Sequence, residues 1–264
     1  DRYLVVFAYD FAGDGSDWDI YGRFIPWNGP DAGLTDFSIC NWTSNQRRPT
    51  VAFGYSQQEF MVAWTNAIEG QPTYISARRI YADLSGFSGS PFLVSSGTYD
   101  RDYQDITYNL ARNEYLITWD VISADGDLDI YGIRLAATGT FLTGGDPNGV
   151  GEFSIAGWPS QEERPSVAAC EQTDQYLVLW QSDQSTNFAD EAVYGRFLNG
   201  DAVPGNVYLV SDTTSPQEFV DVGCTTLGEN YLITWQDQYV GGEFGIWARL
   251  AYPNEIFSSE FEVA

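Results

Sequence analysis

Short segments in which nearly every position is hydrophobic recur along the chain at almost regular intervals. Five of them run from one aromatic residue to another four positions later, at residues 3–7, 60–64, 115–119, 176–180 and 231–235. Each is short and rich in β-branched and aromatic residues, which predicts a strand. Because both alternating sets of positions are apolar, we expect both faces of these strands to be covered by other parts of the fold.

Two further strand-like segments follow each of the five, and another precedes four of them. Those that follow directly read Asp-Ile-Tyr-Gly-Arg or a variant, at 19–24, 74–78, 129–134, 192–196 and 245–249. Shorter outer segments lie at 37–40, 92–94, 153–155, 208–210 and 261–263. The preceding segments, called inner strands below, lie at 48–53, 105–108, 164–169 and 221–224. Four short strands per repeat are typical of a β-propeller blade.

The repeat therefore predicts an all-β chain that folds as a five-bladed β-propeller of four-stranded blades, a single domain over residues 1–264. The predicted blades are 1–47, 48–101, 102–163, 164–218 and 219–264. Blade 1 lacks its inner strand within this chain, and an open edge leaves backbone groups unpaired at about 1–3 kcal/mol each. We expect Tyr3–Asp10 to be covered by a strand from the flanking chain or by one that a neighbouring subunit donates.

The succession Tyr-Leu-x-x-Trp, an Asp-rich loop and Asp-Ile-Tyr-Gly-x-Arg resembles the tandem propeller repeats of prokaryotic secreted and cell-surface proteins, and more distantly TolB-like propellers. The resemblance extends over the whole chain. It implies a propeller fold and an extracellular or cell-surface location, and it says little about function, because propellers serve as enzymes, lectins and scaffolds alike. Residues 74–77 depart from the motif and read Tyr-Ile-Ser-Ala, which argues against a site repeated in every blade.

The charge balance excludes several function classes. The chain has 37 acidic residues against 12 basic ones, all of them arginine, and a net charge of −25 without any histidine. Histidine-based triads and lysine-based phosphate loops are therefore excluded. Nucleic acid is not an expected partner, because phosphate binding needs a basic surface. Membrane insertion is not expected either, because no apolar run is long enough to span a bilayer.

Acidic loops between the second and third strands are candidate calcium sites. One loop holds Asp14, Asp17 and Asp19, and another holds Asp125, Asp127 and Asp129. Alternating carboxylates of this kind can converge on one Ca²⁺, which takes six to eight oxygen ligands. The alternative is that Asp and Gly simply favour hairpin turns and keep the surface soluble. We expect no cofactor to be required, with Ca²⁺ as the candidate ion.

Two carboxylates are candidates for catalysis. Asp105 and Asp221 begin inner strands at equivalent positions, where the other two inner strands carry Thr50 and Ser166. Two carboxylates on one rim can act as acid and base, or as acid and nucleophile, in glycoside hydrolysis. The favoured interpretation is nevertheless a non-catalytic structural or interaction module that binds other protein chains, including copies of itself. The alternative is a carbohydrate-binding or glycoside-cleaving propeller.

Two modifications are also predicted. Cys170 and Cys224 lie on inner strands of adjacent blades, one residue out of register, so their side chains leave opposite faces of their strands. That geometry predicts a disulfide between them, with buried free thiols as the alternative. Asn41 begins an Asn-x-Thr sequence just beyond an outer strand and is a candidate glycosylation site.

Overall fold

The computed structural model of the chain describes residues 2–11, 13, 15, 17–29, 35–83, 85–142, 151–183, 191–211, 215–225, 229–238 and 243–263. Every regular element in these ranges is a β-strand, and no helix there could cross a membrane. The strands are β1 Arg2–Asp10, β2 Trp18–Pro26, β3 Phe37–Cys40, β4 Asn45–Gly54, β5 Glu59–Ala67, β6 Tyr74–Tyr81, β7 Phe92–Ser95, β8 Arg101–Asn109, β9 Glu114–Ile122, β10 Leu128–Ala136, β11 Glu152–Ala156, β12 Glu162–Cys170, β13 Gln175–Ser182, β14 Ala192–Asn199, β15 Pro204–Ser211, β16 Gln217–Cys224, β17 Tyr231–Gln238, β18 Phe244–Ala251 and β19 Phe261–Glu262.

The strands form five antiparallel sheets, each built from strands that follow one another in the chain. Sheet 1 holds β1 to β3, sheet 2 β4 to β7, sheet 3 β8 to β11, sheet 4 β12 to β15 and sheet 5 β16 to β19. This is the up-and-down strand order of β-propeller blades. Contacts divide the chain into two compact units, Asp1–Gln104 (unit 1) and Asp105–Ala264 (unit 2). The single domain expected from the repeat stays a prediction.

Sheet 1 has three strands where the other sheets have four. β1 pairs along its whole length with β2, and no described strand pairs with its other edge. Tyr3, Val5 and Tyr9 on this strand are exposed, Tyr3 by 63%. Among the described residues, the inner position of this sheet is therefore open, as the strand count of the sequence predicts.

A tryptophan on the second strand fills the core of each four-stranded sheet. Trp64 in unit 1 and Trp119, Trp180 and Trp235 in unit 2 are fully buried. The strands β5, β9 and β13 are buried on both faces along nearly their whole length. For these three strands this confirms the inference drawn from their continuous hydrophobic pattern. The inference is wrong for β1 and β17, where several positions are exposed or only half-buried.

Arginines on third strands tie each of these strands to the outer strand of the preceding sheet. Their guanidinium groups donate to backbone carbonyls, Arg78 to Ile39, Arg196 to Ile155 and Arg249 to Val210. Arg134 does not belong to this set, although the repeat suggests it. Ile133 occupies the equivalent position, and Arg134 instead forms a buried ion pair with Glu114 at 2.8 Å.

Candidate active site on the inner strands

Each inner strand contains one residue in the left-handed region of backbone space. These residues are Arg48, Tyr103, Arg164 and Phe219, with φ between 48° and 55°. In β4, β12 and β16 the pairing register with the next strand shifts at this point, which identifies a β-bulge. Bulges re-aim the side chains that follow them, and non-glycine residues with positive φ concentrate at functional sites.

The strained backbone is held by side chains of the preceding sheet. In unit 2 the Arg164 N–H donates to Asp120 Oδ2 at 3.1 Å, and the Phe219 N–H donates to Gln181 Oε1 at 2.9 Å. The Arg164 guanidinium also lies over the Phe219 ring, 5.3 Å from its centroid. The bulges of β12 and β16 are therefore fixed in place by the sheets on which they pack.

Two positions beyond the left-handed residue, the side chains of three inner strands meet in unit 2. Ser166 Oγ lies 3.3 Å from Asp105 Oδ2 and 3.1 Å from Asp221 Oδ1. The structure thus brings together both candidate catalytic carboxylates from the sequence. Sequence reasoning missed the bridging role of Ser166, although the repeat alignment places it at their equivalent position.

Backbone amides hold the two carboxylates in place. Asp105 Oδ2 accepts from the Val167 N–H at 2.9 Å, and Asp221 Oδ1 accepts from the Val222 N–H at 2.9 Å. Asp105 is half-buried, whereas Asp221 is exposed. The Oδ2 atom of Asp221 makes no hydrogen bond with the described residues. One carboxylate is therefore held from several sides, and the other presents an oxygen to solvent.

A cavity of about 270 Å³ in unit 2 begins directly beside this cluster. It is lined by Thr107, Tyr108, Val167, Ala168, Ala169, Glu171, Val222, Gly223, Cys224 and Thr225. Its volume is slightly below the range of about 300–1,000 Å³ that is usual for ligand sites. Val167 and Val222, which follow Ser166 and Asp221 in the chain, lie in its wall, so the cavity adjoins the carboxylate cluster.

Cys170 and Cys224 form a disulfide with their Cα atoms 5.4 Å apart. It links β12 to β16 across a sequence separation of 54 residues, next to the cavity. This is the pair that the register argument selects. Cys40 is a buried free thiol, and burial raises its pKa to about 11.

The acidic loops do not form a metal-binding cluster within the described residues. Burial, with Asp17 nearby, raises the pKa of Asp19, and burial together with Asp127 and Asp125 raises the pKa of Asp129. No group of three acidic or cysteine side chains among the described residues is placed to hold a metal ion. Asp14 lies outside those residues, and calcium binding stays a prediction.

Glu162 is a buried carboxyl group that sequence reasoning missed. It lies at the start of β12, fully buried, and accepts hydrogen bonds from the Trp158 N–H at 3.0 Å and from the Ser160 hydroxyl. Burial raises its pKa to about 7, and the nearby charges of Asp129 and Asp183 add to the shift. The carboxyl group therefore titrates near neutral pH.

In sheet 2 a glutamine occupies the equivalent place. Gln46 at the start of β4 is also fully buried, and its Oε1 atom accepts from the Trp42 N–H at 3.2 Å. The spacing Trp-x-x-x-Gln or Trp-x-x-x-Glu was the signal in the sequence.

Asn41, the candidate glycosylation site, is exposed directly after β3.

No family model and no curated protein matches this chain. Solved structures do match. The chain is 10% identical to a Hadza microbial sialidase, with a TM-score of 0.58 over 99% of this chain and 56% of the sialidase. It is 8% identical to an α-L-arabinofuranosidase from Fusarium graminearum, with a TM-score of 0.55 over 83% of this chain and 66% of that one. An α-L-arabinofuranosidase from Lactobacillus brevis is also 8% identical, with a TM-score of 0.54 over 97% and 91% of the two chains.

The chain thus spans about half to two thirds of the first two enzymes that it matches. Identities this low show a shared fold. Each of the three structures is nevertheless of a carbohydrate-cleaving enzyme. The interpretation as a non-catalytic structural or interaction module is therefore wrong, and the comparisons favour its alternative. That interpretation failed because a regular repeat reports on the scaffold and carries no information about the chemistry of single positions.

Proposed function

We propose that this protein hydrolyses glycosidic bonds and that Asp105, Ser166 and Asp221 form the reactive site in unit 2. The observation that supports this most strongly is the meeting of two carboxylates from different sheets at one serine hydroxyl. Paired carboxylates are the groups that most glycoside hydrolases use. The similarity of the fold to that of carbohydrate-cleaving enzymes supports the same assignment.

The two carboxylates have different surroundings and so take different roles. Asp221 is exposed and has one oxygen outside any hydrogen bond with the described residues, so this oxygen is accessible to a substrate, and we assign Asp221 as the acid that protonates the leaving oxygen. Asp105 is half-buried and oriented by backbone amides, so it faces the anomeric carbon. Ser166 can donate to only one carboxylate at a time and acts as a positioning residue between them.

The separation of the two carboxylates bears on the stereochemical outcome that we propose. The nearest oxygens of the two carboxylates are no further apart than the combined length of two contacts of 3.3 and 3.1 Å. Inverting glycosidases separate their carboxyl groups by about 6.5–9.5 Å, and retaining ones by about 5–5.5 Å. This upper limit lies just below the inverting range, so we assign retention as part of the proposal, with Asp105 as the nucleophile that forms a glycosyl ester, which water then hydrolyses.

The same proposal includes the finer architecture and the location. We take the five sheets as the blades of one five-bladed propeller, with the open position beside β1 filled by a strand from outside this sequence. The strand count of sheet 1 and the repeat support this. An extracellular or cell-surface location is supported by the disulfide, because such bonds persist in oxidising compartments.

The test is an assay of sugar release. The purified chain is incubated with arabinan, galactan, xylan and aryl glycosides, and reducing ends are measured for the wild type, D105N and S166A. D125N serves as the control, because Asp125 is an exposed acidic residue outside the cluster. We expect D105N to lower kcat by about 100- to 10,000-fold, S166A to lower it less, and D125N to leave it unchanged. Folded wild-type protein that releases no sugar, or D105N with wild-type kcat, would contradict the proposal.

A further inference from the structure

A second cavity lies in unit 1, at the end of sheet 2 where its inner strand begins. It has a volume of about 570 Å³ and is formed by the segment after β3 and by the loop between β5 and β6. Its lining residues are Trp42, Thr43, Ser44, Asn45, Ala67, Ile68, Glu69 and Tyr74. The volume is within the range of about 300–1,000 Å³ that is usual for sites binding small molecules.

The walls of this cavity combine aromatic rings with polar groups. Trp42 is 39% exposed, and Tyr74 is half-buried. Glu69, Asn45 and the hydroxyl groups of the segment after β3 supply hydrogen-bonding groups. Aromatic surfaces beside a few convergent polar groups suit a ligand with one apolar face and many hydroxyls, and a sugar ring is such a ligand.

The cavity is preformed by contacts within unit 1. The Trp42 ring packs edge-on against the buried Trp64, with centroids 6.3 Å apart, and the Trp42 backbone N–H donates to Gln46 Oε1. Asn45 Oδ1 accepts from the Trp18 N–H at 3.0 Å. A ligand therefore has little ordering to impose, which favours affinity.

At the equivalent corner of sheet 4, the tryptophan is covered by a neighbouring aromatic ring. Trp158 takes the place of Trp42 but is packed against Tyr194, with centroids 5.6 Å apart, and Tyr194 also stacks on Trp180. Sheet 2 has Ser76 where sheet 4 has Tyr194. The small serine leaves the outer face of Trp42 uncovered. The open tryptophan is thus specific to sheet 2 and is not a requirement of the repeat.

The charge of the cavity selects among sugars. Its eight lining residues include one carboxylate, Glu69, and no basic side chain, and the whole chain carries a net charge of −25. A uronic or sialic acid would meet an acidic residue without a cation to pair with it. A neutral sugar would not be repelled by this charge, and its hydroxyl groups could donate hydrogen bonds to the Glu69 carboxylate.

We propose that the cavity formed by Trp42, Tyr74 and Glu69 is a binding subsite for neutral sugar units of a glycan, separate from the carboxylate cluster of unit 2. The proposal rests on the proposed function for its class of ligand. In this proposal the sugar ring packs on the exposed face of Trp42, and its hydroxyl groups form hydrogen bonds with Glu69 and Asn45. Hydrolysis and this binding are therefore properties of different residues.

The test is a titration with arabinan- and galactan-derived oligosaccharides, followed by calorimetry, on the complete chain produced without N-glycosylation, so that Asn41 stays bare. The variants are W42L and, as the matched control, W158L at the equivalent position. D105N is titrated beside them, because it removes hydrolysis and leaves this cavity unchanged. Thermal unfolding confirms that each variant is folded.

We expect W42L to weaken the Kd at least tenfold for a neutral oligosaccharide, and W158L and D105N to leave it within threefold. E69Q should weaken it less than W42L does. Wild-type affinity in folded W42L, no binding of any neutral oligosaccharide by the wild type, or tighter binding of an oligogalacturonate than of its neutral counterpart would overturn the subsite. Failure of the proposed function has a different signature, which is an intact Trp42-dependent Kd without any sugar release.

Discussion

Sheets 2 and 4 begin with the same short motif, a tryptophan followed four residues later by a buried Gln or Glu. The corners that this motif forms differ in how far the tryptophan is exposed. In sheet 2, Trp42 is partly exposed, and the buried Gln46 accepts a hydrogen bond from the Trp42 backbone N–H. In sheet 4, Trp158 is packed under Tyr194, and the buried Glu162 accepts the corresponding hydrogen bond. The first corner therefore offers an open cavity, and the second contains a buried carboxyl group whose pKa is raised to about 7.

This contrast shows how a repeat carries function. The backbone and the tryptophan core are common to both sheets, so they report on folding. Differences between equivalent positions, such as Ser76 for Tyr194 or Gln46 for Glu162, create the local chemistry. The same holds on the inner strands, where two carboxylates and a hydroxyl occupy equivalent positions in unit 2.

The largest expected effect concerns the ion pairs at the start of the second strands. Glu114 and Arg134 in unit 2 are both buried and share two contacts of 2.8 Å, whereas Arg79 opposite Glu59 in unit 1 is 21% exposed. E114A removes the buried carboxylate that pairs with Arg134 and leaves this arginine, among the described residues, only its contacts with Asp201, and we expect a loss of about 3–5 kcal/mol. E59A should cost clearly less in urea unfolding, and equal losses would remove this difference between the units.

Removal of the disulfide should come next. Replacing Cys170 and Cys224 together by alanine removes a cross-link over 54 residues, and we expect a loss of about 2–4 kcal/mol in the free energy of unfolding. C40A removes a free thiol in unit 1 and should cost less. Urea unfolding with and without a reductant measures both. A reductant that leaves wild-type stability unchanged would argue against the cross-link.

Exchanging the buried residues Glu162 and Gln46 should change how the free energy of unfolding depends on pH. The folded state holds the Glu162 proton more tightly than the unfolded chain, because burial raises the pKa from 4.5 to about 7. This contribution is complete at acidic pH and is lost as the pH rises through about 7. E162Q should therefore stabilise the protein at pH 8 by about 3 kcal/mol relative to the wild type, on the basis of 1.36 kcal/mol per pKa unit.

The reciprocal variant, Q46E, should introduce the same dependence into sheet 2. Thermal unfolding from pH 5 to pH 8 measures both variants beside the wild type. Parallel stability curves for E162Q and the wild type over this range would show that Glu162 does not titrate there.

The smallest effect concerns the indole N–H groups of the core tryptophans. Trp64 Nε1 donates to Asn66 at 3.0 Å, whereas Trp180 Nε1 has no partner among the described residues. N66A should cost about 1–2 kcal/mol, because it leaves a buried donor unpaired. S182A, at the equivalent position in sheet 4, removes a hydroxyl that already lacks a partner and should change stability by less than about 0.5 kcal/mol.

The sequence contained enough information for the sheets, the core and the pairing of cysteines. Continuous hydrophobic runs report burial on both faces, which located Trp64 and its counterparts, and strand register placed Cys170 opposite Cys224. Repeat alignment also suggested Asp105 and Asp221 as equivalent positions. These features follow from the periodic pattern of residue types along the chain, which can be read from a single sequence.

The remaining features depend on distances of a few ångströms, which periodicity does not record. The bulges at Arg164 and Phe219 aim Ser166 and Asp221 at each other, and no pattern in the sequence marks a positive φ at an arginine or a phenylalanine. The raised pKa of Glu162 arises from packing of the segment before β12. The cavity beside Trp42 depends on the size of Ser76.

The central claim is that the carboxylates on the inner strands of unit 2 carry out hydrolysis. The most direct test is the initial rate of sugar release by the double variant D105N/D221N at saturating substrate, with D125N measured in parallel. The account predicts at least a thousandfold lower rate for the double variant and an unchanged rate for D125N, with both proteins folded. A folded double variant that retains the wild-type rate would contradict it.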